Sequence, residues 1–534
     1  MIHRPLFFLV SLATIEWFVS ISSLQAAVQL NALFSENAVL QQGMPIPVWG
    51  MGKEGEAVHV SLAGQNADTV VKEGRWVVKI PAQKAGGPYA LAVKGENELT
   101  VQNVWVGEVW ICSGQSNMER QLGPRSGQQL LVNWEAEAAS ASMPLLRHFA
   151  LDRKPSDTPL AETKGKWEVC TPQSVVNFTA VGYYFGRDLV KHLNVAVGLI
   201  HTSWGGTPAE AWTRHEALEE SMPEILQTQK TAVETYAAEI LKYQAAEPQL
   251  QVDWQKAVDE AKLAGLPEPK KPTAPRDPST TPNRPSCLFN GMVSPIIPYA
   301  VRGVIWYQGE ANVGRPLPYR KLFPLMISDW RKQWGEGEFP FLFVQLAPHR
   351  GTGPAIRESQ LLTWKNTPQT AMVVTTDVGD ANDIHPNRKE PVGQRLALAA
   401  RAVAYGEKLE YSGPCFESAA FADGHATLSF SHAESGLMAQ EKDALLTGFE
   451  IAGADQVFHP ATAVIEDKTV VASSPLVATP VAMRYGWANT PVVNLANLEG
   501  LPASPFRTDD WDNVRPTTVA TPTPSATPSS TPAQ

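Results

Sequence analysis

The pattern of apolar and polar positions changes character along the chain. From Gln29 to about Glu108 it consists of short runs that alternate or nearly so, among them Pro47-Val48-Trp49, Val58-His59-Val60-Ser61-Leu62, Arg75-Trp76-Val77-Val78-Lys79-Ile80 and Tyr89-Ala90-Leu91-Ala92-Val93. Period-two alternation marks half-buried strands, and Gly, Pro and Asn turns separate these runs at intervals of about ten residues. Residues 28–106 are therefore expected to form a small β-sandwich. From 107 to 405 continuous apolar runs alternate with helical spacing. Val104–Ile111, Val195–Ile200, Val301–Tyr307, Phe339–Leu346 and Ala371–Thr376 read as buried strands. Between and after them, Val176–Leu193 (apolar at Phe178, Val181, Phe185, Leu189 and Leu193), Tyr319–Trp334, Ala355–Lys365 and Pro391–Tyr405 have the 3.6-residue period of helices. Strand–helix alternation of this kind predicts an α/β core whose sheet is parallel and covered on both faces.

Past Tyr405 the runs shorten again, as in Ala426-Thr427-Leu428-Ser429-Phe430 and Lys468-Thr469-Val470-Val471, so residues 406–512 are expected to be β-rich. Two features interrupt the core pattern. Glu219 to about Ala264 reads as two charged helices, and Pro267–Pro285 as a stiff Pro-rich connection. Residues 219–285 are thus an insertion expected to carry no chemistry. Residues 513–534 repeat Thr, Pro, Ser and Ala and are expected to be a disordered tail. Residues 1–27 have the form of a signal peptide: His3 and Arg4, an apolar stretch from Leu6 to Val19 broken by Glu16, then small residues up to Ala27. Export to the periplasm or the cell exterior is the expectation, with an uncleaved anchor as the alternative.

Composition narrows the partners. With 44 Lys+Arg against 54 Asp+Glu the net charge is −10, which argues against nucleic acid or an anionic membrane surface. No run after the N-terminus is long and apolar enough to span a bilayer. The 534 residues are too many for one core. Cys112, Cys170, Cys287 and Cys415 allow up to two disulfides in an exported chain, with pairing undetermined. The 11 histidines show no HxH or HExxH spacing, so no metal and no other cofactor is expected.

Parallel sheets bind ligands beyond the carboxyl ends of their strands, and here the strand ends carry the unusual residues. The first core strand stops at Ser113-Gly114-Gln115-Ser116-Asn117. A serine on a strand-to-helix turn is placed as a hydrolase nucleophile, although an isolated one more often caps a helix. Ser116 is the candidate nucleophile, and His385, in the polar loop Asp377–Pro386, the candidate base. Asp383 is the first choice to orient His385 and Asp380 the next, while a backbone carbonyl would give a Ser–His dyad. The backbone N–H of Ser116, an N–H of the Trp204-Gly205-Gly206 turn and the Gln308 amide are candidate oxyanion donors. Trp204, Trp306 and Tyr307 offer rings on which a sugar can stack, with buried core as the plainer reading, and Glu310 either binds a sugar hydroxyl or holds its loop.

These segments together resemble the sialate O-acetylesterase family within the SGNH (GDSL-like) hydrolase superfamily. The matching stretches are VWICSGQSNM, VGLIHTSWGGTPAEAW, LFNGMVSPIIPYAVRGVIWYQGEAN, FPFLFVQLAP, DVGDANDIHP and NLEGLPASPFRTD, spread from about Leu33 to Asp510. The resemblance implies a flavodoxin-like three-layer α/β/α core with a parallel five-stranded sheet and a metal-free serine esterase acting on acetylated sugars. Ser116 is then the nucleophile, His385 the base, and Gly206 (or Gly205) and Gln308 complete the oxyanion hole. The superfamily's aspartate usually precedes its histidine by three residues, a position held here by Asn382, so the role of Asp383 stays open. An acetylxylan or other polysaccharide acetylesterase is the alternative substrate reading, and a glycan-binding protein with a relict core the non-enzymatic one. Oligomeric state is not legible.

Overall fold

The computed structural model describes residues 27–441 and 444–511. The expected signal peptide and the Thr/Pro/Ser tail lie outside the described residues. The architecture hangs on one strand of 17 residues, Glu98–Gly114. Its first half, alternately exposed and half-buried, pairs antiparallel with Gly86–Lys94 in an N-terminal β-structure. Its second half is buried at nearly every position and pairs parallel on both edges in the central sheet. The change from alternating to continuous apolar character at Val104 is the change from one sheet face buried to two. The strand thus runs unbroken through positions 106 and 107, and the hydrophobic core is continuous from Val28 to Cys415. The N-terminal part packs a three-stranded antiparallel sheet (Gln29–Leu30, Ile46–Met51, Arg75–Ile80) beside the strands Ala57–Leu62, Gln65–Val70 and Gly86–Lys94.

Across the central sheet the order is Trp167–Cys170, Met143–Ala150, Val197–Ser203, Glu98–Gly114, Gly303–Tyr307, Phe341–Val344 and Thr370–Val373. Every neighbouring pair is parallel except the first. The expected five strands are therefore joined by a sixth parallel strand, Met143–Ala150, and an antiparallel edge strand. Gly303–Tyr307, Phe341–Val344 and Thr370–Val373 are buried at every residue, so both faces of the sheet are covered. The covering helices pack in two pairs. Ala180–Leu193 lies against Glu390–Val403, where a side chain at Gly393 would meet the Tyr184 Cβ at 2.5 Å. Pro316–Trp334 lies against Pro354–Asn366.

The insertion departs from expectation. It is one helix of 41 residues, Pro223–Leu263, running straight through Pro248. The Pro-rich segment turns back along it: Trp254 Nε1 donates to the Pro269 carbonyl at 3.0 Å, and Gln229 Nε2 to the Pro278 carbonyl at 2.9 Å. An extended polyproline-type chain rises about twice as fast as a helix, so a short return segment spans many helical turns. No described helix is long and apolar enough to cross a membrane. The β-rich C-terminal part forms two four-stranded antiparallel sheets and a two-stranded one around a second core. All four cysteines are buried and free, so the disulfides considered from the sequence are not formed.

Where the N-terminal part meets the sheet, the Glu108 carboxylate is sealed. It accepts from Arg302 Nε at 2.7 Å and Nη2 at 3.2 Å, from Tyr405 Oη at 3.1 Å, and from the amides of Gln42 at 2.6 Å and Gln41 at 3.3 Å. Three segments converge on one charge. Glu108→Ala strands an arginine and two amides and is expected to cost about 3 kcal/mol of stability, measured by denaturant unfolding, with Glu108→Gln costing less. A loss below about 1 kcal/mol would show that the joint does not depend on the carboxylate.

Candidate active site

Strand register brings the site together. Gly114, the last residue of its strand, is level with Ser203 on one side and Tyr307 on the other. Three loops therefore leave the sheet at one edge: Gln115–Asn117, Trp204–Thr207 and Gln308–Asn312. They are stitched at once, with the Gln115 N–H on the Tyr307 carbonyl at 2.9 Å and the Trp204 N–H on the Gly114 carbonyl at 3.1 Å. Gly114 adopts φ +134°, and a Cβ there would lie 2.2 Å from the Tyr307 carbonyl oxygen. Only glycine permits this approach, and the chain then turns into the short helix Ser116–Glu119 with Ser116 as its first residue.

Ser116 and His385 are 269 positions apart in sequence and in direct contact, with Ser116 Oγ 2.9 Å from His385 Nε2. Burial is the main cause holding the His385 imidazole below its usual range, reinforced by the positive charge of Lys389 and opposed by Asp383. A neutral imidazole beside a hydroxyl is the arrangement needed to take its proton. Asp383 is the carboxylate nearest the other ring nitrogen, but its Oδ1 is 3.7 Å from Nδ1 and instead accepts the His385 backbone N–H at 2.8 Å. Asp380 does not reach the ring. Its Oδ1 accepts the N–H groups of Asn382 and Asp383 and builds the loop.

The glycine turn divides its two N–H groups. That of Gly205 is taken by Glu119 Oε2 at 2.5 Å, while those of Gly206 and Ser116 have no acceptor among the described residues. Gly206 has φ +77° and faces open space. Gln308 does not do what the sequence led us to expect. Its side chain is fully buried, and Nε2 donates to Asn312 Oδ1 at 2.7 Å and to the Thr207 carbonyl at 3.3 Å, so both amide hydrogens are already taken. Tyr307 is also corrected: it is 1% exposed and offers no face to a sugar, and Trp306 is wholly buried. Glu310 holds its loop rather than a substrate, because Oε1 accepts from Asn117 Nδ2 at 2.6 Å and Oε2 is buried. Trp204 alone of these rings stays part-exposed, with the Arg153 guanidinium 5.7 Å from its centroid.

Sequence reasoning missed a second group. Glu119 Oε1 accepts from Arg125 and Arg153, each at 2.7 Å, which sets two guanidiniums against the helix that carries Ser116. Their side chains are 31% and 50% exposed, so both keep N–H groups for a ligand. The only signal was the charge pattern Glu119, Arg125, Arg153, whose convergence depends on the fold.

Comparison with known proteins bears on this geometry. The model for "Carbohydrate esterase, sialic acid-specific acetylesterase" matches residues 106–259 and 287–402, just over half of the chain. The chain belongs to this family. It is 30% identical over 431 residues to the sialate O-acetylesterase of Rattus norvegicus (72% of this chain, 75% of that protein) and 29% identical over 492 residues to that of Homo sapiens (83% and 84%). A solved carbohydrate acetylesterase from Xanthomonas citri is 37% identical, with a TM-score of 0.77, covering 91% of this chain and all of that one. The protein is thus a carboxylic ester hydrolase of the carbohydrate acetylesterase type, and the non-enzymatic alternative falls away.

The position of Asp383 makes a prediction. Asp383→Asn is expected to lower kcat for p-nitrophenyl acetate by less than about a hundredfold, well short of the roughly 10⁴ lost when a triad aspartate bonded to the imidazole is changed. Asp380→Asn is expected to lower it less again. A loss near 10⁴ in Asp383→Asn would mean that the carboxylate bonds Nδ1 during turnover.

Proposed function

We propose that this esterase removes O-acetyl groups from sialic acids through an acetyl-Ser116 intermediate, within an SGNH-type core. The observation that carries the mechanism is the 2.9 Å contact between Ser116 Oγ and His385 Nε2 at the carboxyl ends of the strands. His385 takes the Ser116 proton as Oγ bonds to the acetyl carbon, and the N–H groups of Ser116 and Gly206 receive the charge that develops on the carbonyl oxygen. The ester bond then breaks as His385 returns the proton to the sugar oxygen. A water deprotonated by His385 attacks the acetyl-serine, and Ser116 leaves with the proton, releasing acetate. Support for the core assignment comes from the order of the five expected strands, second-first-third-fourth-fifth along the sheet.

The choice of an acidic sugar rests on Arg125 and Arg153. Two guanidiniums on one carboxylate leave a surplus positive charge beside the nucleophile, and their exposed N–H groups suit a planar carboxylate. Neutral acetylated xylan lacks such a group. The reading includes export, on the strength of residues 1–27.

Ser116→Ala is expected to abolish acetate release from O-acetylated sialic acid while the fold is kept, as judged by circular dichroism; undiminished turnover would overturn the nucleophile. Arg153→Ala is expected to reduce the preference for the free acid over its methyl ester about tenfold, measured as a ratio of kcat/KM. An enzyme that never distinguishes acid from ester and favours acetylated xylan would replace the sialic acid reading with the polysaccharide one.

A further inference from the structure

Next to the nucleophile, the side-chain amide of Asn117 is held at both ends by charge. Its Oδ1 accepts a short hydrogen bond from Lys389 Nζ, 2.5 Å, and its Nδ2 donates to Glu310 Oε1 at 2.6 Å. An amide between a cation and an anion has one orientation, since the reverse would set N–H₂ against ammonium and carbonyl against carboxylate. The same Nδ2 donates to the Ile384 carbonyl at 3.0 Å. Asn117 follows Ser116 and Ile384 precedes His385, so this one amide joins the backbone beside the nucleophile to the backbone beside the base. Lys389 is 1% exposed, with its ammonium 5.4 Å from the Tyr307 ring centroid.

We propose that Lys389 and Glu310 are positioning residues for the Ser116–His385 pair, acting through the amide of Asn117 that they hold between them. This rests on the nucleophile and base assigned above. Neither side chain touches the reacting atoms. Together they set where Asn117 sits, and hence how closely the His385 loop approaches Ser116. The charges facing the Lys389 ammonium are Glu310 from the loop after Gly303–Tyr307, Asp383 from the base loop, and Arg120 from the end of the nucleophile helix. Burial pushes Lys389 down to about 7, Glu310 and Asp383 pull it up, and Arg120 pushes it further down. Burial likewise raises the Glu310 carboxyl above its usual range. The bridge therefore loses its cation as pH rises through neutrality, whereas the base needs pH above the lowered range of His385.

The test is the pH profile of kcat for p-nitrophenyl acetate, with Ser116→Ala run in parallel. The wild type is expected to give a bell with an alkaline limb near 7. Lys389→Arg keeps a charge that does not titrate there, so the alkaline limb should leave this range. Glu310→Gln keeps an acceptor but removes the anion that sustains Lys389⁺, so the limb should move to lower pH. Lys389→Met should lower kcat about tenfold or more with KM within twofold, and should shift the acid limb upward because His385 loses a neighbouring positive charge. If Ser116→Ala is inactive while all three variants keep the wild-type profile and kcat within twofold, the positioning role is overturned and the nucleophile stands. If Ser116→Ala is fully active, the assignment beneath it fails instead. Should Lys389→Met fail to fold, Lys389→Arg and Glu310→Gln decide the matter.

Discussion

The chain must do two incompatible things at Gly114, and the absence of a side chain reconciles them. The strand Glu98–Gly114 is paired on both edges up to its last residue, so no neighbour can move aside. It must also turn sharply enough to lift Ser116 out of the sheet, which it does with φ +134° against the Tyr307 carbonyl. A Cβ at 2.2 Å would push apart the loops that begin at Gln115 and Gln308. Stability and chemistry meet in this contact. The pairing that buries Val109 to Cys112 also fixes the height at which Ser116 emerges.

Around that fixed point the protein arranges charge by depth. On the open side Glu119 gathers Arg125 and Arg153, whose exposed ends remain in water, where such pairs contribute little to stability and are free to exchange partners. On the closed side Glu310, Asn117 and Lys389 are shut away, and there each polar contact is costly to leave unmade. The Ser116–His385 pair sits between the two environments. Its partial burial holds the imidazole below its usual range.

Much of the fold was legible because the two hydrophobic periods do not resemble each other. Gly303–Tyr307 and Phe341–Val344 carry no charged or amide residue on either face, and a sheet covered on both sides buries such runs. Met143–Ala150 escaped notice since Arg147 and His148 sit in its middle. The fold buries them anyway, with His148 stacked 4.4 Å from Phe178 and Arg147 5.0 Å from the Trp105 ring. The insertion read as two helices, whereas Pro248, a residue that breaks isolated helices, lies inside a single one. Its support comes from Pro269–Pro278, distant in sequence. In the site, Ser116 and His385 were singled out from their places at strand ends, and the fold brings them into contact. The direction of the Gln308 amide was not legible, because Thr207 and Asn312 decide it and both reach it only in the folded chain.

The loop that carries His385 is built largely by its own aspartates. Asp380 and Asp383 each spend an oxygen on backbone N–H groups of the loop itself. Asp377 is held by Arg395 through two contacts of 2.7 Å, and Arg388 reaches the Asp377 carbonyl at 3.0 Å. Three aspartates thus shape and anchor the backbone. Asn117 then tethers that backbone to the Ser116 turn through Ile384. The loop so constrained carries a ring whose Nε2 meets Ser116 Oγ at 2.9 Å, while Asp383 Oδ1 stands 3.7 Å from Nδ1 and bonds the main chain instead.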